Sequence, residues 1–174
     1  MVTAKPIETV YSGYRFRSRL EARWAVYFDA LGLPWEYEKE GYDLGDGIWY
    51  LPDFWLPQVR MWAEVKPGPL SEDEREKCRR LAKQTGYPCL MLEGVPDMLA
   101  YWAMEPDRGD ASINGSATEC DYILSNYHGY PQDENRFYAS TGYEKGKRLE
   151  DWWGDIMPAI VAARSARFEH GERG

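Results

Sequence analysis

Basic charge, histidine and long apolar runs are what this chain has least of. Its formal net charge at pH 7 is −8, from 21 Lys and Arg against 29 Asp and Glu. The overall basic footprint of a nucleic-acid-coating protein is therefore missing. There are two histidines, His128 in a Gly/Tyr-rich stretch and His170 in a polar tail. Neither a histidine-based hydrolytic mechanism nor a zinc site is expected from them. Three cysteines, Cys78, Cys89 and Cys120, are odd in number and show no CxxC spacing. That argues against a disulfide framework, and buried free thiols are the expectation. No apolar run approaches the roughly 20 residues of a membrane span. Met1 to Tyr14 lacks the apolar stretch of a signal peptide. The expectation is a soluble, cytoplasmic protein with no membrane partner.

Aromatic residues are plentiful. Eight Trp and 13 Tyr raise the aromatic share to 15%, and each large ring buries on the order of 150–250 Å². With 174 residues and 44% hydrophobic content, one core is supported. The chain reads as a single domain over 1–174, with a core at about 14–94 and an elaboration over 95–174. Charge is uneven along it. Residues 1–30 carry five basic and three acidic side chains, residues 31–143 ten and twenty, and residues 144–174 six and six.

The pattern of elements is that of an α/β protein. Ser18 with Glu21 three positions on marks a helix start, Leu20, Trp24, Phe28 and Leu31 recur at helical spacing, and Gly32 marks the stop. Strands are expected at Trp35–Glu38, Ile48–Leu56 and Met61–Val65, with a tight connection at 57–60. A second helix begins at Ser71, acidic at first and basic toward Arg79, Arg80 and Lys83, and Gly86 ends it. The apolar run Pro88–Glu93 reads as a buried strand, and strand, helix, strand implies a parallel crossover. Residues 105–146 read as loops and a hairpin, with short strands at Tyr122–Leu124 and Arg136–Ala139. A helix over Asp155–Phe168 closes the chain, stepping through Ile156, Ile160, Ala163 and Arg167. Trp24, Trp35, Trp49, Trp55 and Trp62 fall on these elements and are expected to pack rather than stack on bases.

The chemistry concentrates in two short segments. In Trp62-Ala-Glu64-Val-Lys66, strand alternation places Glu64 and Lys66 on one face. Ten residues separate Asp53 from Glu64, a span that lets a hairpin bring the two carboxylates together across neighbouring strands. Asp53 is flanked by Leu51, Pro52, Phe54 and Trp55. An ionised carboxylate in such a setting is costly unless partnered, and a divalent cation is such a partner.

Pro52-Asp53, ten residues, then Glu64-Val65-Lys66, preceded by a helix bearing Glu21, resembles the motif of the PD-(D/E)XK nucleases. The resemblance extends to element order and covers about residues 14–94. Tyr50-Leu-Pro-Asp-Phe54 and Ala63-Glu-Val-Lys66 are similar to forms found in Holliday-junction resolvases and transposon end-cleaving nucleases. The tail Ala166–Gly171 resembles that of phage-encoded proteins. The resemblance implies a restriction-endonuclease-like fold, with a central mixed sheet of four to five strands flanked by helices and a C-terminal insertion and helix. It further implies DNA as substrate, with 5′-phosphate and 3′-hydroxyl products. Asp53, Glu64 and the Val65 carbonyl would hold Mg²⁺ or Mn²⁺, Lys66 would position the attacking water and stabilise developing charge, and Glu21 would complete a second metal's shell or orient a metal-bound water.

Arg15, Arg17, Arg19 and Arg23 cluster around Glu21 and are candidate DNA-phosphate contacts, as are Lys83 and Arg80 at the end of the second helix. Structural roles compete with each assignment. Glu64 and Lys66 can be a plain surface ion pair on one face of a sheet, Glu21 a capping residue, and Lys83 a complement to the helix dipole. A catalytically silent DNA- or protein-binding module on the same scaffold is the main functional alternative. An acidic DNA mimic fits less well, because the acidic residues are interspersed with apolar ones. Paired cuts need two active sites, so a homodimer is one expected partner class, and a protein supplying target recognition is another.

Overall fold

The computed structural model describes residues 6–97, 101–104, 106, 119–125, 138–141 and 150–168. Strands β1 (Thr9–Tyr11) and β2 (Tyr14–Phe16) pair as an antiparallel hairpin, an ordered element where sequence patterning suggests only an arm. Helix α1 (Arg19–Leu31) follows, and its ends are set as its residue types dictate. Ser18, extended at φ −143°, accepts the Glu21 backbone N–H, and Gly32 closes the helix in the left-handed region at φ 71°.

Next come β3 (Glu36–Tyr37), a small antiparallel pair of β4 (Tyr42–Asp43) with β5 (Trp49–Tyr50), then β6 (Phe54–Leu56) and β7 (Met61–Lys66). The strand expected over Ile48–Leu56 is therefore two strands, interrupted at Leu51–Asp53. Pro52 accounts for the break, because it has no N–H to give a ladder. Helix α2 (Glu72–Thr85) opens with a full capping box between Ser71 and Glu74 and ends at Gly86. It returns the chain to β8 (Cys89–Glu93), which lies parallel to β7.

Beyond β8, three further strands extend the sheet: β9 (Tyr101–Met104), β10 (Glu119–Ser125) and β11 (Tyr138–Thr141). The main sheet is thus mixed and seven-stranded, in the order β11-β10-β9-β8-β7-β6-β3. Four to five strands were expected. The excess comes from the polar segment after residue 95, whose β10–β11 hairpin joins the edge through β9 instead of standing apart. The last helix, α3 (Glu150–Ser165), starts earlier and ends sooner than its periodicity suggests, so Arg167 falls beyond its end. His128 and His170 lie outside the described residues, as does most of 105–146.

Alternation along β7 divides the core. Met61, Ala63 and Val65 join Phe54, Leu56, Leu90 and Leu92 in a cluster with Trp24, Phe28 and Leu31 of α1 and Ile156, Ala159, Ile160 and Ala163 of α3. Trp62 joins Cys89, Met91 and Met104 against Cys78, Leu81 and Ala82 of α2 on the other face. The result is an α/β arrangement with helices on both faces of the sheet. Cys78 and Cys89 are buried free thiols. Among the described residues, no helix is long and apolar enough to cross a membrane.

Candidate active site

Two strand facts bring the carboxylates together. β6 and β7 run antiparallel with Phe54 opposite Ala63, so the register carried one residue further sets Asp53 opposite Glu64 on the α2 side. One more step sets Pro52 opposite Val65. Pro52 cannot donate, so the Val65 carbonyl has no ladder donor from that strand, and the Val65 N–H is taken at 2.8 Å by Oδ2 of Asp53 instead. Proline thus ends the ladder where an aspartate side chain replaces it.

Asp53 and Glu64 are each only 5% exposed, and Glu21, brought in by the first turn of α1, is 8% exposed. All three line one cavity of about 610 Å³, together with Arg17, Val65 and Lys66. Glu64 is held at both oxygens: Lys66 Nζ donates to Oε1 at 2.7 Å and the Tyr50 hydroxyl to Oε2 at 2.7 Å. Glu21 takes the Ser18 hydroxyl on Oε1 at 2.7 Å, and the Tyr37 hydroxyl at 2.6 Å and Arg17 backbone N–H at 3.1 Å on Oε2. Its capping role and its place in the cavity are therefore compatible.

Electrostatics set Asp53 apart. Burial, then the Glu64 charge, push its carboxyl well above the ordinary carboxylate range; the Val65 N–H opposes this, Glu21 adds to it and Lys66 offsets part. Lys66 is held protonated: burial works against its charge, but Glu64 first, then Asp53 and Glu74, outweigh that, with Glu74 Oε1 at 3.6 Å. The Tyr50 phenol is pushed well up by burial, then by Cys89, Cys78 and Glu64, so it remains a donor at any working pH.

The arginines divide. Arg17 lines the cavity, pairs with Glu38 and reaches Asp53 Oδ1 at 3.4 Å. Arg15 points to Glu8 at 3.5 Å. Arg23 turns to the C-terminal end of α3, donating to the carbonyls of Ala163 at 2.8 Å and Arg164 at 2.7 Å. Arg19 and Arg23 border a separate cleft of about 200 Å³ with Arg167 and Phe168. Lys83 is exposed in the last turn of α2 and does not line the 610 Å³ cavity. Arg80 is committed to Glu76 at 3.0 Å and Asp46 at 2.8 Å. Of the proposed phosphate contacts, only Arg17 shares the cavity with the carboxylates.

Sequence reasoning missed Tyr50 and Tyr37. Tyr50 sits three residues before Asp53, an odd spacing that continuous alternation would put on the opposite face, and only the break between β5 and β6 brings it to the site; nothing local marks Tyr37. Trp49, expected to pack in the core, is instead 70% exposed at the cavity rim.

For a divalent cation, the donors available are two buried carboxylates, a carbonyl without a strand donor and a nearby third carboxylate. Among the described residues, no group of three or more His, Cys, Asp or Glu side chains is arranged to hold a metal by itself. The set matches the sparse, hydrated coordination of Mg²⁺, which uses one or two carboxylates and keeps several waters, and does not match an all-protein cage. Burial and the neighbouring Glu64 and Glu21 charges disfavour the ionised form of Asp53, a cost that a cation placed among these carboxylates would offset. No protein-family model matches the chain, and no curated protein matches it.

Proposed function

We propose that the protein is a Mg²⁺- or Mn²⁺-dependent DNA endonuclease of the PD-(D/E)XK class, with a restriction-endonuclease-like core. The observation that carries this reading is the burial of Asp53 and Glu64 side by side in a cavity that also holds Lys66 and Glu21. The order of elements supports it: a helix bearing Glu21, an antiparallel hairpin bearing Asp53 and Glu64, then a parallel helical crossover.

Asp53, Glu64 and the Val65 carbonyl would hold the ion, with Glu21 beside them. Bound there, the ion supplies Lewis-acid charge to a phosphate oxygen and makes water a stronger nucleophile. Lys66, protonated and fixed through Glu64 and Glu74, places a compact positive charge where negative charge develops on the phosphate. Tyr50 holds Glu64 in one orientation, and Tyr37 with Ser18 does the same for Glu21. Arg17 lines the approach and meets the entering phosphodiester by exchanging its contacts with Glu38 and Asp53. Products with 5′-phosphate and 3′-hydroxyl ends follow from attack of water on phosphorus with loss of the 3′ oxygen.

One observation favours the silent-module alternative. Both oxygens of Glu21 and of Glu64 already have protein donors, and such a closed set also suits a scaffold. Supercoiled plasmid separates the two. The parent should nick it with Mg²⁺ or Mn²⁺ and not with EDTA, and Lys66→Ala and Asp53→Ala should each lose at least about 10²-fold in rate. Inactivity of the parent with every divalent ion, or variants as active as the parent, rejects the proposal.

A further inference from the structure

The cavity is two-sided. Carboxylates and Lys66 form one part of its lining, and Trp49, Leu20, Leu51 and Pro6 supply apolar surface to the rest. Trp49 is the feature that a phosphate-cutting site does not itself require. At 70% it is the most exposed large hydrophobic side chain among the described residues, and what sets it apart from other exposed apolar groups is its place on the wall of the carboxylate cavity. It rests against the chain at Gly41. The indole lies so close to the backbone at Gly41 that a Cβ there would stand 2.6 Å from Cζ2, 2.8 Å from Cε2 and 2.9 Å from Nε1. Only a residue without a side chain permits that approach. Gly41 itself has no left-handed φ, so the space beneath the ring, not the backbone, is what calls for glycine. An indole seated against a glycine backbone is a platform that leaves most of its surface open for a flat ligand beside the cavity.

We propose that this platform stacks an unpaired nucleobase, and that the substrate of the site is therefore a single strand, or the unpaired arm of a branched duplex, rather than intact duplex DNA. The inference rests on the nuclease reading and extends it to substrate class. A nucleotide has the same two-sided character as the cavity, a phosphate at one end and a flat, largely apolar ring at the other. The volume, about 610 Å³, is within the roughly 300–1,000 Å³ of small-ligand pockets. Inside a duplex both faces of a base are already covered by neighbours, so it reaches Trp49 only after extrusion, which costs energy. In a single strand the base face is free. Stacking on an aromatic side chain does not depend on base identity, so the selectivity is for strand state and not for sequence.

The test compares catalytic efficiency on a single strand, a flapped duplex and an intact duplex of the same sequence, with Mg²⁺, for the parent, Trp49→Ala, Trp49→Phe and Gly41→Ala. The parent should prefer the unpaired substrates. Trp49→Ala should lower kcat/KM on them by about 5- to 150-fold, corresponding to about 1–3 kcal/mol of stacking, chiefly through KM. The unpaired-to-duplex ratio should fall toward one. Trp49→Phe should keep most of the preference, and Gly41→Ala, which displaces the ring without removing it, should behave like Trp49→Ala. Equal efficiency of the parent on duplex and single strand, or equal losses on all three substrates in Trp49→Ala, overturns the inference. Anisotropy of a labelled oligothymidylate, read without turnover, separates the two readings. A parent that cuts nothing yet binds the oligonucleotide through Trp49 loses the nuclease reading and keeps the platform. A parent that cuts duplex and binds the oligonucleotide no better than Trp49→Ala does keeps the nuclease reading and loses the platform.

Discussion

Replacing Tyr50 by Phe removes one atom from the site and leaves the ring in place. The hydroxyl donates to Glu64 Oε2 at 2.7 Å, in a setting where Tyr50 is 8% exposed and Glu64 5%. A buried hydrogen bond to a charged group contributes about 1.5–3 kcal/mol. No cavity forms, because the ring volume is kept, and Glu64 retains Lys66 on its other oxygen. A loss of about 2 kcal/mol is therefore expected, and for a domain of this size it lowers the thermal midpoint by about 4–8 °C. Circular dichroism of the metal-free protein at pH 7 measures it. If Tyr50 acts through the Glu64 charge, the same substitution in a Glu64→Gln background should cost roughly half as much, since a neutral acceptor binds the hydroxyl more weakly. A midpoint within 1 °C of the parent, or equal losses in both backgrounds, refutes the coupling.

Further outcomes follow from the same contacts. Asp53 has a carboxyl pKa raised by burial and by Glu64, so the folded state binds its proton more tightly than the unfolded chain does, and its effect on stability worsens as pH rises from the ordinary carboxylate range through the raised value. Asp53→Asn should accordingly raise the midpoint of the metal-free protein at pH 7–8, and the gain should shrink on acidification; a lowered midpoint at pH 8 counts against it. Four phenols, Tyr11, Tyr37, Tyr42 and Tyr50, are pushed upward by burial and by hydrogen bonds to Asp29, Glu21, Glu40 and Glu64. Their stabilisation is complete below the unfolded tyrosine value of about 10 and is lost above it, so absorbance at 295 nm should show these four ionising late, together with alkaline unfolding. Ser71→Ala deletes the cap of α2 and its hydroxyl bond to Glu74, costing about 1 kcal/mol, and should lower the midpoint by about 2–4 °C; an unchanged midpoint counts against the capping role.

How much of this was legible from residue order depends on the range of the interaction. Helix limits were local: Ser18 and Gly32, Ser71 and Gly86, each act on their own turn, and each sits where expected. The meeting of Asp53 and Glu64 was also readable, because alternation and a ten-residue hairpin leave little freedom. Pro52 carried a further message, that the strand ends there, which the hydrophobicity of Ile48–Leu56 masked. Contacts from distant segments were not readable. Tyr37 meets Glu21 across 16 residues, and Arg23 reaches the end of α3 across 140. The exposure of Trp49 was hidden because its neighbours in sequence alternate as a half-buried strand does, while the cavity beside it is made by α1, β5 and β7 together. The widening of the sheet was obscured by a polar segment in which edge strands need no continuous apolar run.

Buried Asp53 and Glu64 beside Glu21 make the proposed place for a divalent ion, and titration calorimetry with Mn²⁺ tests it most directly. The parent should bind one or two ions, and binding should be lost in Asp53→Asn and in Glu64→Gln. Absence of binding by the parent, or undiminished binding by both carboxylate variants, contradicts the assignment of this cavity.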